Sequence, residues 1–205
     1  MKKSYFQKTY NTISNLIYPS FISLCLGLVI HLLRLFVLKM NISLLNSTLD
    51  LFQRRILVFE HIIIYFTTIL LAIPLVLVSI ELFSRLLTDN ISNYIKSISQ
   101  TRYLRQYLKQ DEKTNPNLSL NTQYNSQKIN HVIKNFNECT SNSIVDIRNH
   151  SISVLISYPK TQQAQLLLKN ILSDLEEEIS NKNSDYYFSS PNRIGDKLWI
   201  SGTRR

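Results

Sequence analysis

The chain has 205 residues, 44% of them apolar, with 23 Lys and Arg against 14 Asp and Glu, a formal charge of +9 and a pI near 9.6. Three glycines argue against a glycine-rich nucleotide loop, and two lone cysteines, Cys25 and Cys139, with no clustered histidine, argue against a disulfide framework or a zinc site. The basic balance suits a neighbour made of anionic lipid or nucleic acid, or flanks that orient a membrane protein. Hydropathy divides the chain: residues up to about Leu87 are strongly apolar, and the rest is rich in Asn, Ser, Gln and Lys.

Met1–Asn15 carries Lys2, Lys3 and Lys8 and no acid, the positive flank expected on the cytosolic side of a span. A signal peptide is the competing reading, but no small-x-small cleavage site follows. Leu16–Leu33 is the first apolar run, with Pro19 placed as a first-turn residue and His31, Arg34 and Lys39 as anchors at its far end. Asn41–Arg55 predicts a short amphipathic helix along the interface through Leu44, Leu45, Leu49 and Phe52. Its two N-x-S/T triplets read as chance products of an Asn-rich composition. Arg54, Arg55, Glu60 and His61 mark the entry to the second run and read as interfacial anchors; pairing with Arg34 or His31 in a hairpin is the alternative.

Ile62–Ile80 has no charged side chain for nineteen residues and no polar stripe, the signature of a helix that crosses a bilayer. Thr67, Thr68 and Ser79 can bond back to their own helix, and Pro74 is tolerated in such a span. Ser84–Lys109 reads as a helix continuing out of the membrane, with Leu87, Ile91, Ile95, Ile98, Tyr103 and Tyr107 at helical intervals. Its basic residues Lys96, Arg102, Arg105 and Lys109 are the candidate site: cations among tyrosines that meet phosphate, of lipid headgroups or of nucleic acid. Basic flanks on both outer sides put both termini in the cytosol.

Gln110–Gln127 is polar, with one proline and no apolar period, and reads as a flexible tether. Lys128–Cys139 predicts a short helix with Ile129, Val132, Ile133 and Phe136 on one face. Ile144–Arg148 and Ser151–Ser157 alternate as strands about a turn at Asn149-His150, which makes His150 a turn residue and not a base. Thr161 is placed as the cap of one amphipathic helix carrying Ala164, Leu167, Leu168, Ile171, Leu172, Leu175 and Ile179, ending in Glu176, Glu177 and Glu178, a solvated acidic end. Asp185–Ser189 and Lys197–Thr203 read as strands joined through Pro191, Asn192 and Gly195, with Trp199 packing the sheet against that helix.

The expected fold is α+β: a two-helix transmembrane hairpin with a basic juxtamembrane helix over 1–109, a linker over 110–127, and a small cytosolic antiparallel sheet covered by one amphipathic helix over 128–205. No phosphate-binding loop, H-E-x-x-H, G-x-S-x-G or Cys pair occurs, and His31, His61, His131 and His150 lack ligand spacing. The expectation is therefore a non-enzyme without a cofactor or metal.

The order of two spans, a basic helix, a polar tether, and then a turn, strand and helix over Ile147–Ser180 resembles the N-terminal region of FtsK/SpoIIIE-type coupling proteins of Gram-positive conjugative elements. The resemblance implies a bacterial membrane anchor and adaptor that serves a separate motor ATPase in conjugative DNA transfer. The family's motor has no counterpart in these residues, so no catalytic residue carries over. The first expectation is an adaptor of the cell membrane whose head binds another protein, as an oligomer. A small channel or transporter subunit, with His31, Arg34, Glu60 and Glu81 along a water path, is the alternative. Direct DNA binding through Lys96–Lys109 is a third.

Overall fold

The computed structural model describes residues 2–39, 46–111 and 123–205. The elements run α1 (Tyr5–Lys39), α2 (Asn46–Thr88), α3 (Ile91–Leu108), α4 (Gln123–Thr140), β1 (Ile144–Ile147), β2 (Ser151–Ser157), α5 (Gln162–Asn170), α6 (Leu172–Lys182), β3 (Tyr186–Phe188), β4 (Asn192–Ile194) and β5 (Lys197–Arg204). The fold is α+β: long apolar helices, then a small antiparallel sheet with helices. Two compact units result, Thr9–Glu81 on one hand and Met1–Lys8 with Leu82–Arg205 on the other.

The first unit is an antiparallel helical pair. At 35 and 43 residues, α1 and α2 are about 52 and 64 Å long, against a hydrocarbon layer of about 30 Å. Both are long and apolar enough to cross a membrane, and only 17% and 6% of their apolar windows are buried. Phe21, Leu28 and Phe36 on α1 and Ile62, Phe66 and Leu75 on α2 all face outward. A core helix of a water-soluble protein would hide those side chains.

Polar groups join the two helices. The Ser23 and Thr67 hydroxyls share a hydrogen bond, Ser20 Oγ donates to the Leu70 carbonyl at 3.2 Å, and a side chain added at Gly27 would meet Ile63 at 3.3 Å. Each step forward on α1 is matched by a step back on α2. Small residues here let the backbones approach and give interhelical hydrogen bonds. Thr68 and Ser79 do bond back to Ile64 and Leu75, as expected, whereas Thr67 turns to the other helix.

Two expectations about helix boundaries fail in this unit. Pro19 lies well inside α1, which begins at Tyr5, and not in a first turn. No separate interfacial helix exists from Asn46 onward: those residues form the first turns of α2, because neither glycine nor proline interrupts 46–62. Leu44 and Leu45 lie outside the described residues, as does the side chain of Leu49.

The second unit is built on a five-stranded sheet of order β1-β2-β5-β3, with β4 also on β5. β3 and β4 lie end to end along the same side of β5, pairing with Gly202–Arg204 and Lys197–Trp199. The two-residue Gly195-Asp196 turn closes β4 on β5, and Gly195 adopts φ +62, a conformation costly for any residue with a Cβ. β4 was missed as a strand because Pro191 and Gly195 flank so short a segment.

Register puts Val145, Val154 and Ile200 in one row and Ile147, Ile152 and Gly202 in the next, all on the face that packs against Ala164, Leu168, Leu175 and Ile179. A Cβ on Gly202 would sit 2.6 Å from Ile152, so only glycine fits beneath Phe188. The single amphipathic helix expected over 161–179 is two, broken at Ile171, and Thr161 precedes α5 without a capping hydrogen bond from its side chain. α4 and α3 add to the same layer through Phe136, Leu104 and Leu108. α4 starts at Gln123, so the end of the expected tether is helical; 112–122 and the side chain of Ile129 lie outside the described residues.

Trp199 is on the opposite face. It alternates with Leu198 and Ile200 and shares its row with Ile144 and Leu155, all buried. The expected packing against α5 is thus wrong by one residue of pleat. The first turn of α1 reaches this face: Gln7 donates to the carbonyl and hydroxyl of Ser153 at 3.3 and 3.2 Å. That reach is fixed by a capping box, Ser4-x-x-Gln7, in which each side chain accepts from the other's backbone N–H at 3.1 Å.

Candidate functional site

α2 and α3 are not one helix. The break falls at Asp89-Asn90, and the Asn90 side chain accepts from the Ser92 N–H to cap α3. The apolar residues that identify α3 in the sequence are not the face it buries. Ile91 and Ile95 are exposed, while Asn93, Ser97, Thr101, Leu104 and Leu108 are buried.

The reason lies in β1, an edge strand with outward-pointing backbone groups. Ser97 accepts from the Ile147 N–H at 2.9 Å and Thr101 from the Val145 N–H at 3.0 Å. Arg105 Nε donates to the Ser143 carbonyl at 2.9 Å, and Arg85 Nη1 to that of Ile147 at 3.0 Å. A row of helix side chains thereby takes the place of a neighbouring strand and closes the edge.

Arg85 is the largest fully buried side chain. It pairs with Asp146 on β1 and, at 3.4 Å, with Asp89 one turn on, and its guanidinium lies 5.4 and 5.5 Å from the rings of Phe6 and Tyr94. Asp146 also receives Arg148 Nε at 3.2 Å, and Asp89 receives the Asn149 N–H and the Asn93 amide, both at 2.8 Å. A buried charge is tolerable only when paired and hydrogen-bonded in this way.

The four basic residues singled out from the sequence do not make one patch. With about 100° per residue, Lys96 and Arg105 flank the buried face of α3 on opposite sides, and Arg102 points away from it. Arg105 is committed to the Ser143 carbonyl, and with Lys109 lines a hollow beside Asn137 and Glu138. Lys96 opens instead on a polar cleft of about 570 Å³ shared with Lys182 at the end of α6 and Arg204 at the end of β5. Lys182 and Arg204 carry no local signal in the sequence; the topology alone brings them to Lys96.

Tyr103 and Tyr107 stack with ring centres 6.4 Å apart, and the Lys182 ammonium lies over the Tyr103 ring. Tyr103 donates to Glu178 at 2.6 Å, so the acidic end of α6 is tied to α3 and is not merely solvated. That hydrogen bond raises the Tyr103 phenol above its ordinary range, and burial raises Tyr107. Burial also pushes up the Cys139 thiol, which suits an inert cysteine. Among the described residues no cluster of three metal-ligating side chains occurs.

In the helical pair, Glu60 is not an interfacial anchor but is buried between partners: His31 Nδ1 at 2.8 Å and Arg34 Nη1 at 3.0 Å. His31 has no acid within its own apolar run; its acid comes from the other helix. His61 turns back to the Leu57 carbonyl at 2.7 Å.

Comparison with protein-family models, with curated proteins and with solved structures finds no match to this chain.

Proposed function

We propose that this chain is a membrane-anchored adaptor: α1 and α2 cross the bilayer as a hairpin and hold the α+β unit at the cytosolic face, where it docks another protein. The observation that carries this reading is the outward-facing apolar surface of α1 and α2, which the described residues leave uncovered. Support for both termini lying on one side comes from the first eight residues belonging to the same compact unit as Leu82–Arg205. The cytosolic side follows from the basic flanks.

For the docking surface, the closed β1 edge leaves the β3–β4 side of the sheet, where Tyr187 and Ile194 are exposed. The likeness in layout to coupling proteins names one partner class to test, a separate motor ATPase in DNA transfer. Against a water path speaks the mutual pairing of His31, Arg34 and Glu60, which leaves the buried carboxylate engaged within the hairpin.

The test has two parts. The chain is expected to resist carbonate extraction and to need detergent in solution; a purified polypeptide that stays dispersed and monomeric without detergent ends the reading. Photo-crosslinkers at Tyr187 and Ile194 in native membranes are expected to capture a distinct polypeptide that a crosslinker at Ser173 does not. Equal capture at all three removes the docking surface.

A further inference from the structure

We infer that the cleft between Lys96, Lys182 and Arg204 is a binding site for the headgroup of an anionic phospholipid, a site that rests on the anchored reading above. Three cations from α3, α6 and β5 open on one hollow of about 570 Å³, well within the size range of small-ligand sites. Among the described residues none of the three is ion-paired. One carboxylate, Asp185, shares the lining. Three positive charges and one negative leave the cleft net cationic, which suits an anionic phosphate group. Amides and hydroxyls of Asn90, Ser92 and Asn183 complete it with groups that can bond a hydroxylated headgroup.

The cleft lies close in sequence to the end of the long apolar helix α2. Asn90, Ser92, Asn93 and Lys96 line it from the first turns of α3. Only Thr88, Asp89 and Asn90 separate Ile91 from Leu87, which with Phe83 and Leu86 is exposed at the end of α2. A cationic hollow at the start of α3, a few residues after an exposed apolar helix end, matches the boundary between acyl chains and phosphates. A nucleic-acid backbone needs an extended basic track. Arg102, Arg105 and Lys109 project elsewhere on α3, so they do not prolong this one.

The full chain, reconstituted in vesicles of equal parts phosphatidylglycerol and phosphatidylcholine and released into detergent, is examined by native mass spectrometry for retained lipid. Wild type is expected to keep phosphatidylglycerol over phosphatidylcholine. Lys96→Gln, at an exposed position where folding is undisturbed, is expected to lower that retention roughly fivefold, and Lys182→Gln similarly, while Arg102→Gln leaves it unchanged. Arg204→Gln is read only beside its melting curve, because Arg204 also donates to the Asn149 carbonyl. Retention without headgroup preference, or an equal loss in Arg102→Gln, overturns the site. So does release of the lipid by millimolar inorganic phosphate, or stronger binding of a single-stranded oligonucleotide that Lys96→Gln abolishes. A chain that needs detergent yet shows no preference defeats this inference alone; a chain that needs none defeats the anchor first.

Discussion

Thr101 and Val145 form a closed exchange: the Thr101 hydroxyl accepts from the Val145 N–H at 3.0 Å and donates to the Val145 carbonyl at 3.2 Å. One side chain on α3 satisfies both edge-facing groups of a β1 residue, and both partners are buried. Replacing Thr101 by the isosteric valine strands a buried donor and acceptor at a cost of about 2–4 kcal/mol. Thr101→Ser keeps the hydroxyl and is expected to lose less than half of that. Urea midpoints of the two variants, together with faster amide exchange at Val145 in the valine variant alone, check the assignment.

Arg85 and Asp146 set the second expectation. Arg85→Met leaves Asp89 without its cation and Asp146 with only Arg148, and is expected to destabilise the sheet unit by about 3–5 kcal/mol. Adding Asp146→Leu removes one of the stranded charges, so the double variant is expected to recover part of the loss and not to add to it. Thermal melts of the single and double variants give the sign of that coupling.

The antiparallel register of α1 and α2 makes a geometric prediction. In a Cys25→Ser background, Ser23→Cys with Thr67→Cys is expected to oxidise to an intramolecular disulfide, because the two hydroxyls already touch. Ser23→Cys with Ile73→Cys, nearly two turns away along α2, is expected not to. Mobility on a non-reducing gel separates the outcomes, and a hairpin of different register reverses them.

Alkaline pH is expected to loosen the contact between α3 and α6. Tyr103 and Tyr107 are acids whose folded values lie above the ordinary value near 10. The folded state therefore holds their protons more tightly than the unfolded chain does. Their contribution is fully present below that value and is lost as pH rises through the folded ones. Stability is expected to be insensitive to these two groups up to about pH 9 and to fall beyond it. Tyr103→Phe is expected to flatten the alkaline slope, read as denaturation midpoint against pH.

Much of the architecture is legible in the residues, for one reason: periodicity records which side chains leave water. The apolar runs within α1 and α2, the alternation of Ser151–Ser157 and the one-sided pattern of Ala164 to Ile179 each report that partition directly. On the buried face of α3 that partition misleads, because polar side chains bond across the fold. Ser97 and Thr101 look like the solvent face of α3 until β1 is placed beside them. The Ser4-x-x-Gln7 box and the Asn90 cap are local signals of helix starts that apolar periodicity does not record.

Read from the sequence alone, then, are the uncharged apolar runs of the two long helices, the antiparallel strands and the basic character of the segment after Thr88, because transfer of each residue between water and oil is a local property. Only the tertiary structure decided that Glu60 meets His31 and Arg34, that Arg85 is buried between two aspartates, and that Lys96 faces Lys182 and Arg204 and not Arg105. Charge pairing and hydrogen bonding act over a few ångströms between groups far apart along the chain, and no local pattern encodes which of them will meet.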